Sequence, residues 1–191
     1  LPSLRGTSFA VAPETGGPRL LELLDEAVRG VGLDVRPLSF IFGQGRSEYF
    51  TFVAARVPTV FFSDSTGPCY HTPFDDVDVV DFDKLAKQAE IGARLVERLA
   101  QTPVTPRYVR TAVSFSAAET VLEVVERALV DTHRSPADDQ AFVMDLQARL
   151  AQVVADGPEQ LDAGDITALA GGVARVVELL TEQSCDGFLG P

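Results

Sequence analysis

Several residue types are scarce in this 191-residue chain, which has no tryptophan, one methionine, two cysteines and two histidines. No apolar run approaches the roughly 20 residues of a membrane-spanning helix, so a membrane-spanning segment is not expected. Two cysteines cannot form the disulfide framework of a small secreted domain. The two histidines, His71 and His133, restrict any proposal of a metal site.

Positive charge is also scarce. The chain carries 16 Lys and Arg against 28 Asp and Glu, a net charge of −12, so its surface would repel a phosphate backbone and nucleic-acid binding is not expected. The excess of acid is concentrated in residues 102–191, which hold 14 acidic and 6 basic side chains. With 46% hydrophobic residues, the composition is that of an ordinary globular protein.

Strand-like and helix-like segments alternate over residues 1–101. The predicted strands are residues 8–12, 33–42 and 58–63, and the predicted helices are residues 18–32, 47–56 and 81–100. Pro18 can open the first helix, and Ser47 and Asp81 can cap the second and third. This alternation predicts an α/β fold with a mostly parallel sheet and flanking helices, in which one edge could run antiparallel.

Apolar side chains at helical spacing predict the buried face of two of these helices. For the first helix they are Leu20, Leu21, Leu24, Val28 and Val31, and for the third they are Leu85, Ala89, Gly92, Val96 and Leu99.

The pattern beyond residue 101 is helical, with a proline-containing linker at 101–107 and helices expected over 116–132, 136–155 and 165–183. We therefore divide the chain into an α/β part, residues 1–101, and an acidic all-helical tail, residues 102–191. The apolar faces of the tail fit helices that pack on one another or on the first part, and dimerisation is the alternative. These faces comprise Val121, Leu122, Val125 and Leu129, then Phe142, Leu146, Leu150 and Val153, then Leu169, Val173, Val176, Val177 and Leu180.

Residues suited to catalysis lie in the loop after the third strand, at the carboxyl end of the sheet, where α/β folds place ligands. His71 could bind zinc, with Asp75 orienting the imidazole. Tyr70 could donate its hydroxyl to a developing oxyanion. On the residues alone, a histidine held by hydrogen bonds and an aromatic ring packed under the loop remain the alternatives.

The order of motifs over residues 8–100 resembles the end of the catalytic domain in the di-zinc aminopeptidase family of metallopeptidases, whose relatives include glutamate carboxypeptidases, glutaminyl cyclases and the transferrin receptor. The matching residues are Ser47, Phe52, Val57-Pro58, Tyr70-His71-Thr72, Asp75, and Asp81 with Leu85. The sequence departs from the family pattern at Glu48-Tyr49, where Asp-His is usual, and at Arg56, where Gly is common.

The resemblance implies a zinc-exopeptidase-type fold and a role for each loop residue. His71 matches the last zinc ligand, Tyr70 matches the tyrosine that stabilises the tetrahedral intermediate, and Asp75 matches an aspartate that fixes the loop or orients a ligand. It further implies that the complete protein is a zinc-dependent aminopeptidase that binds two zinc ions and hydrolyses peptides.

The remaining ligands of that family are missing from this sequence. The family uses an early His-x-Asp, a Glu-Glu pair and a further Asp, but the chain has no adjacent Glu-Glu and no histidine before His71. One imidazole cannot hold a catalytic zinc, which needs about three protein ligands. We therefore expect the chain to be the C-terminal part of a longer enzyme and to be inactive alone. His133 is expected to complement a helix dipole.

Two other functions are compatible with the resemblance: a non-catalytic, receptor-like scaffold with a helical dimerisation tail, and an acyl-transferring cyclase. A homodimer through the tail and a location outside the cell or on the exterior of a membrane follow from the relatives, although two cysteines leave the compartment open. Cys69 is expected to be a free, partly buried thiol, with a bridge to Cys185 as the alternative. The acidic run from Asp75 to Asp83 is expected to supply solvated carboxylates and a helix cap rather than a calcium loop.

Overall fold

The computed structural model describes residues 6–43, 47–64, 69, 72–110, 115–131, 137–157 and 163–181. Within these ranges the chain forms three strands and six α-helices, which confirms the α/β class. The strands are β1 (Thr7–Val11), β2 (Asp34–Leu38) and β3 (Phe61–Ser63). The helices are α1 (Gly17–Val28), α2 (Tyr49–Ala54), α3 (Phe82–Gln101), α4 (Phe115–Asp131), α5 (Ala137–Asp156) and α6 (Ala163–Thr181).

Strand β1 lies at the centre of the described sheet, in the order β2-β1-β3. It runs parallel to β2, with Thr7 opposite Asp34, and antiparallel to β3, with Phe9 opposite Ser63. All five residues of β1 are buried. The antiparallel edge that the sequence left open is therefore β3, and the described sheet contains one parallel and one antiparallel pair.

The two faces of β1 are covered by different helices, because successive side chains of a strand point to opposite sides. Ala10 packs with the buried leucines of α1 and with Ile91 and Leu95 of α3. Phe9 and Val11 face the other way, where they pack with α2 and with the partly buried Val124 of α4. Helices thus cover both sides of the sheet, as the alternation of elements predicts.

The predicted buried face is correct in part for α1 and wrong for α3. Leu20 and Leu24 of α1 are buried, whereas Leu21 is 37% exposed. The side chains of α3 that face the protein are instead Lys84, Ile91 and Leu95. The first turns of this inward face carry Lys84 and Gln88, which bind the beginning of β1. The predicted apolar residues therefore lie on another side of the helix. The exposed α3 residues with large apolar side chains are Phe82, Leu85, Val96 and Leu99.

Val96 and Leu99 of α3 border a groove of about 420 Å³ between α3, the start of α1 and the segment that leads into β3. Pro58, Val60 and Phe62 form its opposite wall. Gly92, predicted to lie on a buried face, lines this groove.

Helices α4 to α6 share one apolar cluster with Phe42, which lies in a short 3-10 helix after β2 (Phe40–Gly43). The predicted inward residues Val121, Val125, Leu146, Leu150, Val153 and Leu169 are buried, and Leu122, Leu129 and Val173 pack against them. Phe142 is exposed and its neighbour Val143 is buried instead. The side chains of Val176, Val177 and Leu180 lie outside the described part. No helix in the ranges given above is long and apolar enough to cross a membrane.

The segment predicted as a linker lies against the α/β part. Helix α3 continues through Gln101, and the Arg19 guanidinium then donates to Thr102 Oγ1 at 2.9 Å. Further along, the Val109 amide donates to the Thr15 carbonyl at 2.8 Å. Residues 102–110 therefore follow the surface of the α/β part before α4 begins.

A polar network joins α4 to the beginning of the sheet. The Arg127 guanidinium donates to Thr7 Oγ1 at 2.8 Å and to Asp34 Oδ2 at 2.9 Å, and Arg36 Nε donates to Asp34 Oδ1 at 2.7 Å. Partial burial by itself would raise the pKa of Asp34, but the hydrogen bonds from Arg127 and Thr7 and the charge of Arg36 outweigh it, so the pKa lies below its ordinary value. The ionised form of Asp34 therefore stabilises this junction.

Replacing Asp34 with Asn should lower the free energy of unfolding by about 1 to 2 kcal/mol at neutral pH, since charged hydrogen bonds to a partly exposed group are lost. Because the pKa of Asp34 is lower in the folded state, its contribution is complete above the unfolded pKa of about 3.8 and is lost as the pH falls through the folded value. Urea unfolding of both proteins at neutral pH and at about pH 3 measures the difference, which should shrink in acid.

Asp25→Asn is the matched control. Asp25 pairs with Arg29 at 2.6 Å on the surface of α1, where its side chain is 73% exposed, so its loss should change the free energy of unfolding by at most a few tenths of a kcal/mol. An equal effect of Asp34→Asn at both pH values would contradict the assigned role of the carboxylate.

Candidate functional site

The candidate site is the loop between β3 and α3, which carries Tyr70, His71 and Asp75. Tyr70 and His71 lie outside the described residues, as does His133. Asp75 and the two residues that flank the Tyr70-His71 pair, Cys69 and Thr72, are described. The residues on both sides of the predicted pair can therefore be described.

The direction of β3 decides where this loop leaves the sheet. The sequence predicts a position at the carboxyl end of a mostly parallel sheet. Since β3 is antiparallel to β1, its carboxyl end lies instead at the edge where β1 and β2 begin. The loop consequently starts beside Thr7 and Ser8, and its first residue, Asp64, meets polar groups of β1 and α3.

Buried polar contacts hold the start of the loop. The Lys84 ammonium lies 3.1 Å from Asp64 Oδ2 and donates to the Thr7 carbonyl at 2.6 Å. The Gln88 side-chain amide donates to Asp64 Oδ1 and to Ser8 Oγ at 2.7 Å. Asp64 is thereby fixed to α3, and α3 is fixed to the first strand.

The residues on either side of Tyr70-His71 are joined to each other. The Thr72 amide donates to the Cys69 carbonyl at 3.0 Å, and the Thr72 hydroxyl donates to the same oxygen at 2.7 Å. Cys69 is 2% exposed, so one flank of the pair is anchored in the interior. The Asp75 amide continues this pattern by donating to the Thr72 carbonyl at 3.1 Å.

The Asp75 carboxylate is exposed to solvent. Among the residues that the structure describes, its backbone amide is hydrogen-bonded and its side chain has no hydrogen bond or ion pair. The predicted action of Asp75 on His71 stays a prediction.

Two further members of the acidic run, Asp76 and Asp81, cap helices, and the cap at Asp81 is the one expected. Asp76 Oδ1 accepts the Asp78 amide at 2.9 Å and begins a short 3-10 helix, Val77–Val79. Asp81 Oδ1 accepts the Lys84 amide at 3.0 Å and caps α3. Both carboxylates satisfy amides that the helix starts leave unpaired.

Cys69 is disulfide-bonded, so the prediction of a free thiol is wrong. The other cysteine of the sequence, Cys185, lies outside the described residues. Sequence position alone could not decide the matter, because pairing depends on which cysteines the fold brings together.

The two ends of helix α2 involve residues that the sequence singles out, Ser47 before the helix and Arg56 after it. The prediction that Ser47 caps it is wrong, because Glu48 takes the cap position and no side chain caps the helix. Arg56 follows α2 with a φ of 59°, its amide donates to Val53 O, and the next amide donates to Phe52 O, both at 2.9 Å. This is the Schellman pattern, whose left-handed position usually holds glycine, and it explains why the related family commonly has Gly here.

The described residues do not by themselves fit a catalytic zinc site. They contain no group of three or more His, Cys, Asp or Glu side chains close enough to share a metal ion. The one predicted zinc ligand on the loop, His71, also falls short of the three protein ligands that catalytic zinc takes.

Comparison with protein-family models finds one described as peptidase family M28, which matches residues 5–96. This segment belongs to peptidase family M28. The resemblance predicted from the motif order is thus confirmed at the level of the family. No curated protein and no solved structure matches the chain.

The segment that matches the M28 model also contains contacts at the start of the loop that sequence reasoning missed, namely those of Lys84 and Asp64. Asp64 directly follows a strand, and Lys84 lies three residues after the Asp81 cap. The signal that could have revealed them is the helical spacing of Lys84, Gln88, Ile91 and Leu95, which places two polar side chains on the inward face of α3.

Replacing Cys69 with Ser should lower the free energy of unfolding by about 2 to 4 kcal/mol under oxidising conditions, because the disulfide no longer restricts the unfolded chain. Urea unfolding without reductant measures the loss. Reduced wild-type protein is the control and should resemble the variant. Reactive thiols in denatured, unreduced wild-type protein would contradict the bond.

Proposed function

We propose that this chain is part of a zinc-dependent aminopeptidase, in which His71 supplies a zinc ligand and Tyr70 a hydrogen-bond donor. Membership of residues 5–96 in peptidase family M28 supports a metallopeptidase, and this observation carries the proposal. The anchored neighbours of the pair, Cys69 and Thr72, support a loop built to hold two side chains in place.

The proposed fold is the C-terminal part of a zinc-exopeptidase-type, mostly parallel sheet, followed by an acidic all-helical tail from residue 102. The position of β3 at the end of the described strand order supports it. Among the described strands, β3 has one neighbour, β1, so further strands parallel to β3 could continue the sheet beyond its other edge.

In this proposal the remaining zinc ligands and the general base come from residues outside this chain, since catalytic zinc needs about three protein ligands and the sequence has no adjacent Glu-Glu and no histidine before His71. The complete protein would bind two zinc ions, and this chain alone would be inactive. When bound, such zinc ions polarise a carbonyl and lower the pKa of a coordinated water. The residues of this chain would provide one imidazole, a phenolic hydroxyl for the oxyanion, and Asp75 to orient the loop.

A location outside the cell or on the exterior of a membrane is part of the proposal. The disulfide at Cys69 supports it, because stable disulfides form in oxidising compartments.

A second candidate is a receptor-like scaffold that dimerises through the helical tail. Exposed apolar side chains on α5 favour it, since Met144 is 60% and Phe142 37% exposed, and large apolar surfaces mark interaction sites. A dimer of the 191-residue chain in sedimentation, dissociated by Met144→Lys, together with an inactive complete protein, would favour the scaffold over the enzyme.

His71→Ala should reduce hydrolysis of an aminoacyl nitroanilide by the zinc-loaded product of the complete reading frame by at least roughly 100-fold, because a metal ligand is lost. His133→Ala is the matched control and should leave the rate unchanged, since His133 lies in the tail. Chelation of wild-type protein should abolish the same activity. Activity that survives chelation, or that is equal in the two variants, would count against the zinc site.

Tyr70→Phe should lower kcat by about 100-fold with little change in KM, because the lost hydroxyl acts on the transition state. Tyr108→Phe is the control. Tyr108 packs against the apolar cluster that contains Tyr49 and Val53, and it lies in the segment after α3 rather than in the loop. Steady-state kinetics on the aminoacyl nitroanilide distinguish the two, and equal kcat values would remove Tyr70 from the mechanism.

A further inference from the structure

We propose that Lys84 is a positioning residue that fixes both ends of the loop between Asp64 and Asp81. The inference rests on the proposed function for its consequence in catalysis, because this loop carries Tyr70 and His71. Its structural part stands on the contacts of Lys84 alone.

Lys84 binds both ends of the loop with different atoms. Its backbone amide donates to Asp81 Oδ1 at 3.0 Å at the end of the loop. Its ammonium lies 3.1 Å from Asp64 Oδ2 at the start of the loop. The same ammonium donates to the Thr7 carbonyl at 2.6 Å, so the two ends are tied to each other and to β1.

Packing alone does not explain why a lysine is buried at position 84. The residue is 8% exposed, and an ammonium loses hydration when it is buried. An apolar side chain of similar volume would fill the space without that loss of hydration, but it would leave the Asp64 carboxylate without this partner, which costs stability. What an apolar side chain could not do is hold the Asp64 carboxylate and the Thr7 carbonyl together.

The helix supplies a second point of attachment in the same direction. Gln88, one turn after Lys84, donates to Asp64 Oδ1 and to Ser8 Oγ. Asp64 is therefore held by two adjacent side chains of α3, and Lys84 is the one that also reaches the far end of the loop. Removing its ammonium would release the start of the loop while the Asp81 cap remained.

The test compares Lys84→Met with Lys87→Met. Lys87 lies on the same helix, and its ammonium donates to the Gly32 carbonyl at 3.2 Å at an exposed position. The substitution Lys87→Met therefore removes the same chemical group at a site away from the loop. Hydrogen exchange of peptides from residues 64–81, measured on the 191-residue chain, should accelerate by about tenfold in Lys84→Met and stay unchanged in Lys87→Met. Peptides from α1 should exchange as in wild type in both variants.

Two more variants separate positioning from general destabilisation. Asp64→Asn, at a position whose side chain is 42% exposed, should accelerate exchange in the same peptides. In the double variant Lys84→Met with Asp64→Asn, global stability in urea should return toward the wild-type value, because no unpaired charge is left, while the loop still exchanges fast. In the complete protein, Lys84→Met should lower kcat about tenfold and leave KM unchanged.

Exchange in residues 64–81 that is no faster in Lys84→Met than in Lys87→Met would overturn the proposal. So would a loss confined to global stability, or a wild-type kcat in Lys84→Met. Failure of the proposed function has a different signature. In that case His71→Ala has the wild-type rate or no hydrolysis occurs, while the exchange results still establish Lys84 as the anchor of the loop.

Discussion

The complete burial of β1 is the constraint on which the rest of the structure depends. All five residues are buried and pair with β2, and Phe9, Ala10 and Val11 also pair with β3, so every neighbouring element must bring a matching surface. Small Ala10 allows α1 and α3 to approach on one side, and larger Phe9 and Val11 fill the space under α2 and α4. The strand thereby sets how closely each layer of helices can pack.

The start of β1 is polar, and its hydrogen bonds determine where the surrounding charged side chains lie. Thr7 and Ser8 are buried, and buried polar groups must find hydrogen-bond partners. Lys84 and Gln88 meet them from α3, and Arg127 meets Thr7 from α4. Each of these side chains then requires a counter-charge or acceptor of its own, which Asp64 and Asp34 supply. A single buried strand end thus brings together charged residues from four separate parts of the chain.

The sequence predicts the elements of this structure better than their relations. The apolar run of β1 and the Asp81 cap are local signals, and both are found where expected. The inward face of α3 was mispredicted because Leu85, Val96 and Leu99 repeat as regularly as Ile91 and Leu95, and the pattern does not reveal that Lys84 is held by a strand end. The direction of a strand as short as β3 has no local signal either.

The site shows the same division. The order of the motifs from Ser47 to Leu85, which includes Tyr70, His71 and Asp75, predicts the family, since a motif is a property of sequence. Cys69 was predicted to be free because its pairing depends on residues far along the chain. The contacts of Asp64 with Lys84 and Gln88 were missed for the same reason, as they require the antiparallel direction of β3 to bring the loop beside β1.

The packing of residues 102–110 and α4 makes the α/β part depend on the tail for part of its core. The family match ends at residue 96, inside α3, yet the clusters that cover the sheet draw on Tyr108 and Val124 beyond it. A tail that supplies part of the core cannot be exchanged between proteins as an independent module. Without this tail, the apolar cluster of Phe9 and Tyr49 would lose the cover that Tyr108 and Val124 give it.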